Sequence, residues 1–309
     1  MWLLGAKIDE TRVDGNLSAF RRDLELLAGM QLKAVELPVH GLDAIRHGNP
    51  DKKRIQEIKN ILGDFDFTYS VHAPNPVDLM DKEHPSLHAS VLRSSAEFAE
   101  EIGSKVLVFH PGRFLHEEMF QLGVQVTMTD DEKDKLLDRE AFIIEKISSE
   151  FPEIMICMEN ARPYLFHSPY CYAERIDLLA NQVLKICRPN VKINLDFGHL
   201  YIASRFYGFD PVRETSEIKD LIAHTHIHDN FGLANYHHEK LQTHLLPFGK
   251  GDAHMPVGWG EIPIAEILST FVDLYKGILM MELRSRYLEN IPECKENLER
   301  ILIEHGQFH

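Results

Sequence analysis

Asn194-Leu195-Asp196-Phe197-Gly198-His199 follows a short apolar, β-branched run, Val191 to Leu195, that reads as a strand. Asp196 therefore stands where a strand ends, and His199 just past a turn. A carboxylate and an imidazole three residues apart can converge on one hole, and a divalent metal accepts both. Outward from this stretch the same arrangement recurs: apolar runs that end in His, Glu or Asp, separated by segments with helical spacing.

In chain order the predicted strands are Leu3–Ile8, Ala34–Val39, Asp66–Val71, Lys105–Phe109, Glu153–Met158, Val191–Leu195, Leu221–Ile227 and Gly277–Met281. Helical periodicity lies between them over 17–30, 51–62, 85–102, 130–149, 172–186, 210–218 and 263–275, with a closing helix over 291–304. Strict alternation of strand and helix means parallel strands joined by right-handed crossovers. Eight such units predict a (β/α)8 TIM barrel with its site at the C-terminal ends of the strands. No G-x-G-x-x-G or P-loop stretch follows the first strand, which disfavours an open doubly wound sheet. Residues 1–309 are expected to form one barrel domain, with long loops 112–129 and 230–261 over that C-terminal face.

Bulk composition narrows the partners. A chain of 309 residues, 44% hydrophobic and 26% charged, suits one large barrel, and a net charge of −15 gives no long-range attraction for nucleic acid or an anionic membrane. No stretch approaches the roughly 18 apolar residues of a membrane span. Four cysteines without C-x-x-C spacing and an N-terminus without a signal-peptide pattern predict a reduced, cytoplasmic protein.

His72, His110, Glu159, Asp196, His226 and Glu282 lie at or just after six successive strand ends, the third to the eighth. Glu159, Asp196 and Glu282 close apolar strands, where a lone carboxylate costs several kcal/mol unless paired or metal-bound. Convergence on a metal explains all six better than chance placement does. The run His224-Thr225-His226-Ile227-His228 points three imidazoles to one face, so at least one of them does not reach the ion that His226 reaches.

Val71-His72-Ala73-Pro74, Phe109-His110-Pro111-Gly112, Met158-Glu159-Asn160, Leu195-Asp196-Phe197-Gly198-His199, His226-Ile227-His228-Asp229-Asn230 and Met281-Glu282-Leu283-Arg284, in this order, resemble the xylose isomerase-like TIM-barrel superfamily over essentially the whole chain. That group holds sugar isomerases and epimerases, inosose dehydratases and endonuclease IV.

Resemblance to the ketose 3-epimerases implies a divalent ion, Mn2+ or Mg2+ in preference to Zn2+, held by Glu159, Asp196, His226 and Glu282. It further implies that Glu159 and Glu282 remove and return a proton next to a sugar carbonyl, through a metal-stabilised enediolate. His199, Arg284 and Trp259 would contact a sugar or sugar phosphate, in keeping with a role in carbohydrate metabolism. A homo-oligomer is compatible with this reading. Those epimerases carry a further carboxylate one turn beyond the first metal Glu, where this chain has Arg162-Pro163-Tyr164-Leu165.

Resemblance to endonuclease IV implies three zinc ions instead. His72 and His110 with Glu159 would hold the first, and the tetrad the second. His199 with an Asp-x-His pair ahead of Leu246-Pro247-Phe248-Gly249 would hold the third. Gln242-Thr243-His244 stands there, so the aspartate is missing, and Asn75 replaces the tyrosine expected after His-Ala-Pro. No basic run supplies phosphate contacts. An isomerase or epimerase is therefore the preferred reading, with the phosphodiesterase and an inosose dehydratase-like lyase as alternatives. His72, His110, His199 and His244 are left as a second metal site or substrate contacts.

Overall fold

The computed structural model describes residues 2–239 and 243–304, apart from the side chains of residues 243 and 244. Eight parallel strands close into a barrel: β1 (Leu3–Lys7), β2 (Ala34–Pro38), β3 (Thr68–His72), β4 (Val106–Phe109), β5 (Met155–Glu159), β6 (Val191–Asp196), β7 (Ile222–Ile227) and β8 (Ile278–Met281). Each strand pairs with the next in sequence, and β1 closes the ring on β8 through Leu3↔Ile278 and Ala6↔Met281. This is the predicted (β/α)8 TIM barrel.

One helix or more follows every strand, because each crossover must bury an apolar stripe against the barrel wall. In Leu17–Gly29 that stripe is Phe20, Leu24 and Leu27. Truncating one such side chain, as in Leu24→Ala, costs about 2–5 kcal/mol. The helix starts are set locally: Asn16 accepts from the amides of Ser18 and Ala19, Asp51 from that of Arg54, and Asp210 from that of Val212.

Several boundaries differ from those read in the sequence. β3, β5 and β6 each run one residue further and include His72, Glu159 and Asp196. The parallel ladder carries these residues because their side chains, not their backbones, meet the cavity. The stretch after Asp196 is not a turn but a helix, Phe197–Tyr207, with Asp196 as its N-cap and His199 in its first turn. Most of that helix is buried on several sides, so no polar face marks its period. The segment 112–129 contains a 3-10 helix, Glu117–Leu122, and the helix expected over 263–275 is only Ile264–Ser269. Among the described residues no helix is long and apolar enough to cross a membrane.

Candidate metal centre

The strand ends deliver their side chains in a fixed vertical order. β7 alternates, so His224 and His226 point inward from successive pleats. His224 Nε2 lies 3.1 Å from Glu36 Oε2, deep in the barrel, where Ser70 also donates to that oxygen. His226 stands one layer higher. Its Nε2 is 2.9 Å from Glu36 Oε1, and its Nδ1 is 3.1 Å from Glu159 Oε2, 3.2 Å from Glu282 Oε2 and 4.0 Å from Asp196 Oδ2. Glu36 thus backs the histidine from below, as carboxylates commonly back metal-ligating imidazoles.

Asn160 aligns β5 with β6. Its side chain donates to the Asp196 carbonyl at 2.9 Å and accepts the Asp196 amide at 2.8 Å. Asn194 donates to Glu159 Oε2 at 3.0 Å. Asp196 spends one oxygen capping the His199 amide at 2.6 Å and turns the other to His228 Nε2 at 3.1 Å. Gly198 is required here, since a Cβ at that position would overlap the His228 imidazole.

The long connection after β7 returns to the cavity because Asp229 ties it down. The backbones of Asp229 and Met255 exchange two hydrogen bonds, and the Asp229 carboxylate accepts the amides of Gly258, Gly260 and Ile262. Next to that bridge, Asp252 and His254 are set against His199 and His228; the rings of His228 and His254 stack at 3.8 Å. Among the described residues five overlapping groups of ligand-type residues result, each with ligand atoms within 4.8 Å of one another. Three of them bear on the sequence reading: His72–His110–Glu159, Glu159–Asp196–His226–Glu282, and His199–Asp252–His254.

The third group holds an Asp-x-His pair beside His199 at a position other than the one expected. The pair is Asp252-Ala253-His254, after Gly249-Lys250-Gly251 and not before Leu246-Pro247, and the His244 side chain lies outside the described residues. The signal was present as an Asp-x-His ahead of Gly258-x-Gly260, but a loop of this length has no period that would say which residues face inward.

Protonation can be read from the partners. A carbonyl only accepts, so Nδ1 carries the proton where His72 meets the Ala73 carbonyl at 2.7 Å, His199 that of Asn160 at 2.8 Å and His254 that of Glu282 at 2.7 Å. Nε2 of each ring is thereby turned to the cavity. His72 Nε2 and His110 Nε2 each lie 3.4 Å from a Glu159 oxygen, and His254 Nε2 lies 2.6 Å from Asp252 Oδ2. Nε2 of His72, Nδ1 of His226 and Oδ1 of Asp252 are buried without a hydrogen-bond partner. Lone pairs crowded against carboxylate oxygens need a cation or a proton between them, and this donor set suits a divalent ion.

Electrostatics agree with ionised carboxylates around neutral and cationic rings. Burial alone would raise Glu159, but His226 and His110 hold it well below its ordinary range. Burial would likewise raise Glu282, and Lys7, His226 and His254 outweigh it. Lys7 Nζ sits 2.6 Å from Glu282 Oε1. Burial pushes His110 down to about 4 against the pull of Glu159, which leaves a neutral ring near pH 7.

A model of the family described as the xylose isomerase-like TIM barrel matches residues 24–303. The chain belongs to the xylose isomerase-like TIM-barrel family. The uncharacterized protein MJ1614 of Methanocaldococcus jannaschii is 26% identical over 300 residues, which cover 94% of each chain. Among solved structures, a D-tagatose 3-epimerase-like protein superposes with a TM-score of 0.70 at 20% identity, covering 99% of this chain and 98% of its own. The probable 3-DHS dehydratase AsbF of Bacillus anthracis gives a TM-score of 0.67 at 13% identity, covering 97% and 99%. At these identities the structural likeness shows the fold.

In this xylose isomerase-like barrel the groups open into a cleft of about 690 Å³, within the usual size range of small-molecule sites. His110, Glu159, His199, Glu282 and Arg284 line it, and so do Asp252, His254, Arg162 and Lys7, for which the sequence suggested no role. Trp259 does not line the cleft: its Nε1 donates to Glu293 and its ring meets Tyr287 edge-on, because the Asp229 anchor turns this segment toward the closing helix. Arg284 donates through Nη2 to the Asp252 carbonyl, holding the loop that carries the third group.

Proposed function

We propose that this protein is a divalent-metal-dependent epimerase or isomerase of a sugar or sugar phosphate, working by proton transfer next to a carbonyl. The observation that carries this reading is the placement of two ionised carboxylates, Glu159 and Glu282, on either side of His226 Nδ1 at 3.1 and 3.2 Å. A bound divalent ion would be held by Glu159, Asp196, His226 and Glu282 and would polarise the substrate carbonyl, acidifying the neighbouring C–H. Imidazole donors in every group favour Mn2+ or Zn2+ over Mg2+.

The chain's own residues divide the remaining work. Glu159 and Glu282 are the proton acceptor and donor at the carbon next to the carbonyl. Lys7 holds Glu282 ionised and oriented, and Asn194 does the same for Glu159. His199, in the first turn of its helix, and Arg284 face the cleft where substrate hydroxyls or a phosphate would lie. The same constellation serves a dehydratase if a hydroxyl leaves after proton removal, so product analysis separates the two.

A second reading, an endonuclease IV-like phosphodiesterase, gains from the Asp252–His254 pair that completes a third ligand group with His199. The cleft opposes it. Among the described residues, Asp9, Glu10, Glu117, Glu118, Glu159, Asp252 and Glu282 face Lys7, Arg113, Arg162 and Arg284. Three of these cations are already engaged: Lys7 by Glu282, Arg113 by the Val77 and Asn75 carbonyls and Arg162 by Asp252. A DNA backbone needs free cations.

The test is solvent-deuterium exchange by NMR over a panel of ketoses and ketose phosphates with Mn2+ or Zn2+ supplied. Exchange at the carbon next to the carbonyl supports the proposal. No exchange with any panel member, together with cleavage of an abasic duplex, would replace it with the phosphodiesterase.

A further inference from the structure

The third ligand group already contains a cation, and it comes from the chain itself. Arg162 Nη1 lies 2.7 Å from His199 Nε2 and 3.0 Å from Asp252 Oδ2. Those two ligand atoms are themselves 3.3 Å apart. A guanidinium nitrogen only donates, so Nη1 donates to His199 Nε2 and pairs by charge with Asp252. His199 Nδ1 is committed to the Asn160 carbonyl, so Nε2 carries the ring's only free lone pair. Arg162 Nη1, at 2.7 Å, stands in front of Nε2, where an ion bound to that nitrogen would have to lie. One lone pair cannot accept from Arg162 and bind a metal at once.

The guanidinium is not a loose surface group. Nη2 donates to the Tyr164 hydroxyl at 2.9 Å, and Cζ lies 5.3 Å over the Tyr164 ring. Tyr164 is 1% exposed and packs on Phe120, Tyr170 and His237, which gives the arginine a fixed platform. Pro163 restricts the backbone that leads into it.

We infer that Arg162 is the resident cation of the His199–Asp252–His254 group, where it takes the place of a metal ion and keeps the chain one ion short of what its ligand groups could hold. The group is then a guanidinium-locked wall of the cleft, closed to a metal ion while Arg162 is in place. This assignment concerns only the third group and stands whichever reaction the Glu159 groups perform.

The test counts metal on the full chain. Protein stripped with chelator is dialysed against Zn2+ and the ions per chain are measured for wild type, Arg162→Met and Arg162→Met/His254→Asn. Met keeps the apolar stem of arginine without its charge or its donors. We expect Arg162→Met to bind one Zn2+ more than wild type, and the double variant to return to the wild-type count. Equal counts in wild type and Arg162→Met overturn the inference, as does a wild-type count that falls by one on His254→Asn alone. The latter comparison needs no arginine variant to fold. The proposed epimerase chemistry fails separately, through absence of any ion in wild type.

Discussion

His72 presents Nε2 to Glu159 Oε2 at 3.4 Å while its other nitrogen is bonded to the Ala73 carbonyl. A buried imidazole lone pair aimed at a buried carboxylate is unfavourable by itself and favourable around a divalent ion. Metal removal should therefore destabilise the fold. At a free ion concentration 100-fold above Kd, binding adds about 2.7 kcal/mol, which is about 4 °C in Tm at this chain length. Differential scanning fluorimetry with and without chelator measures it. Removing His72 with His72→Ala should halve the response or more; an unchanged Tm in both experiments would count against a metal at this group.

Glu159→Gln and Glu282→Gln should each abolish substrate deuterium exchange, by about 10²–10⁴-fold for loss of an acid–base group. Far-UV circular dichroism would show that the variants remain folded. Full exchange activity in either variant excludes the two-carboxylate mechanism.

The His110 ring titrates at about 4 in the folded protein against an ordinary 6.5, through burial. The unfolded chain binds the proton more tightly, so His110's contribution to stability is fully present above pH 6.5 and is lost as pH falls through 4. Chelator-treated protein should lose stability over that window in urea titrations. In His110→Asn that part of the slope disappears; an identical pH profile for variant and wild type would show that other groups dominate.

Gly198→Ala places a methyl group into the His228 imidazole. His228 must then leave Asp196, and we expect a stability loss of about 1–3 kcal/mol from overpacking. Metal affinity should weaken as well, because Asp196 loses the contact that orients it. Calorimetric titration of the variant with Zn2+ reads the second effect, and wild-type affinity would separate His228 from the metal groups.

Much of this was legible along the chain, for a physical reason. A barrel strand is a short apolar run whose last residue faces the cavity, so each strand writes its own ligand locally. His72, Glu159, Asp196, His226 and Glu282 could be found that way, and the alternation around His226 implied that at least one of its neighbours His224 and His228 serves another partner. Glu36, near the end of the second strand, received no role because it sits one layer below the rim, where its part depends on β7 standing opposite.

What the sequence determined by itself is the eightfold alternation and the ring of ligand-type side chains at the strand ends, since both follow from periods of two and 3.6 residues within single elements. Only the tertiary structure decided the third group. Asp252 reaches His199 across 53 positions through the Asp229 anchor, and Arg162 crosses 37 positions to reach the same ring. Loops have no period, so which of their side chains turn inward is set by long-range hydrogen bonds and packing. The identity of the cation among His199, Asp252 and His254 is a matter of three-dimensional competition between a metal and a guanidinium.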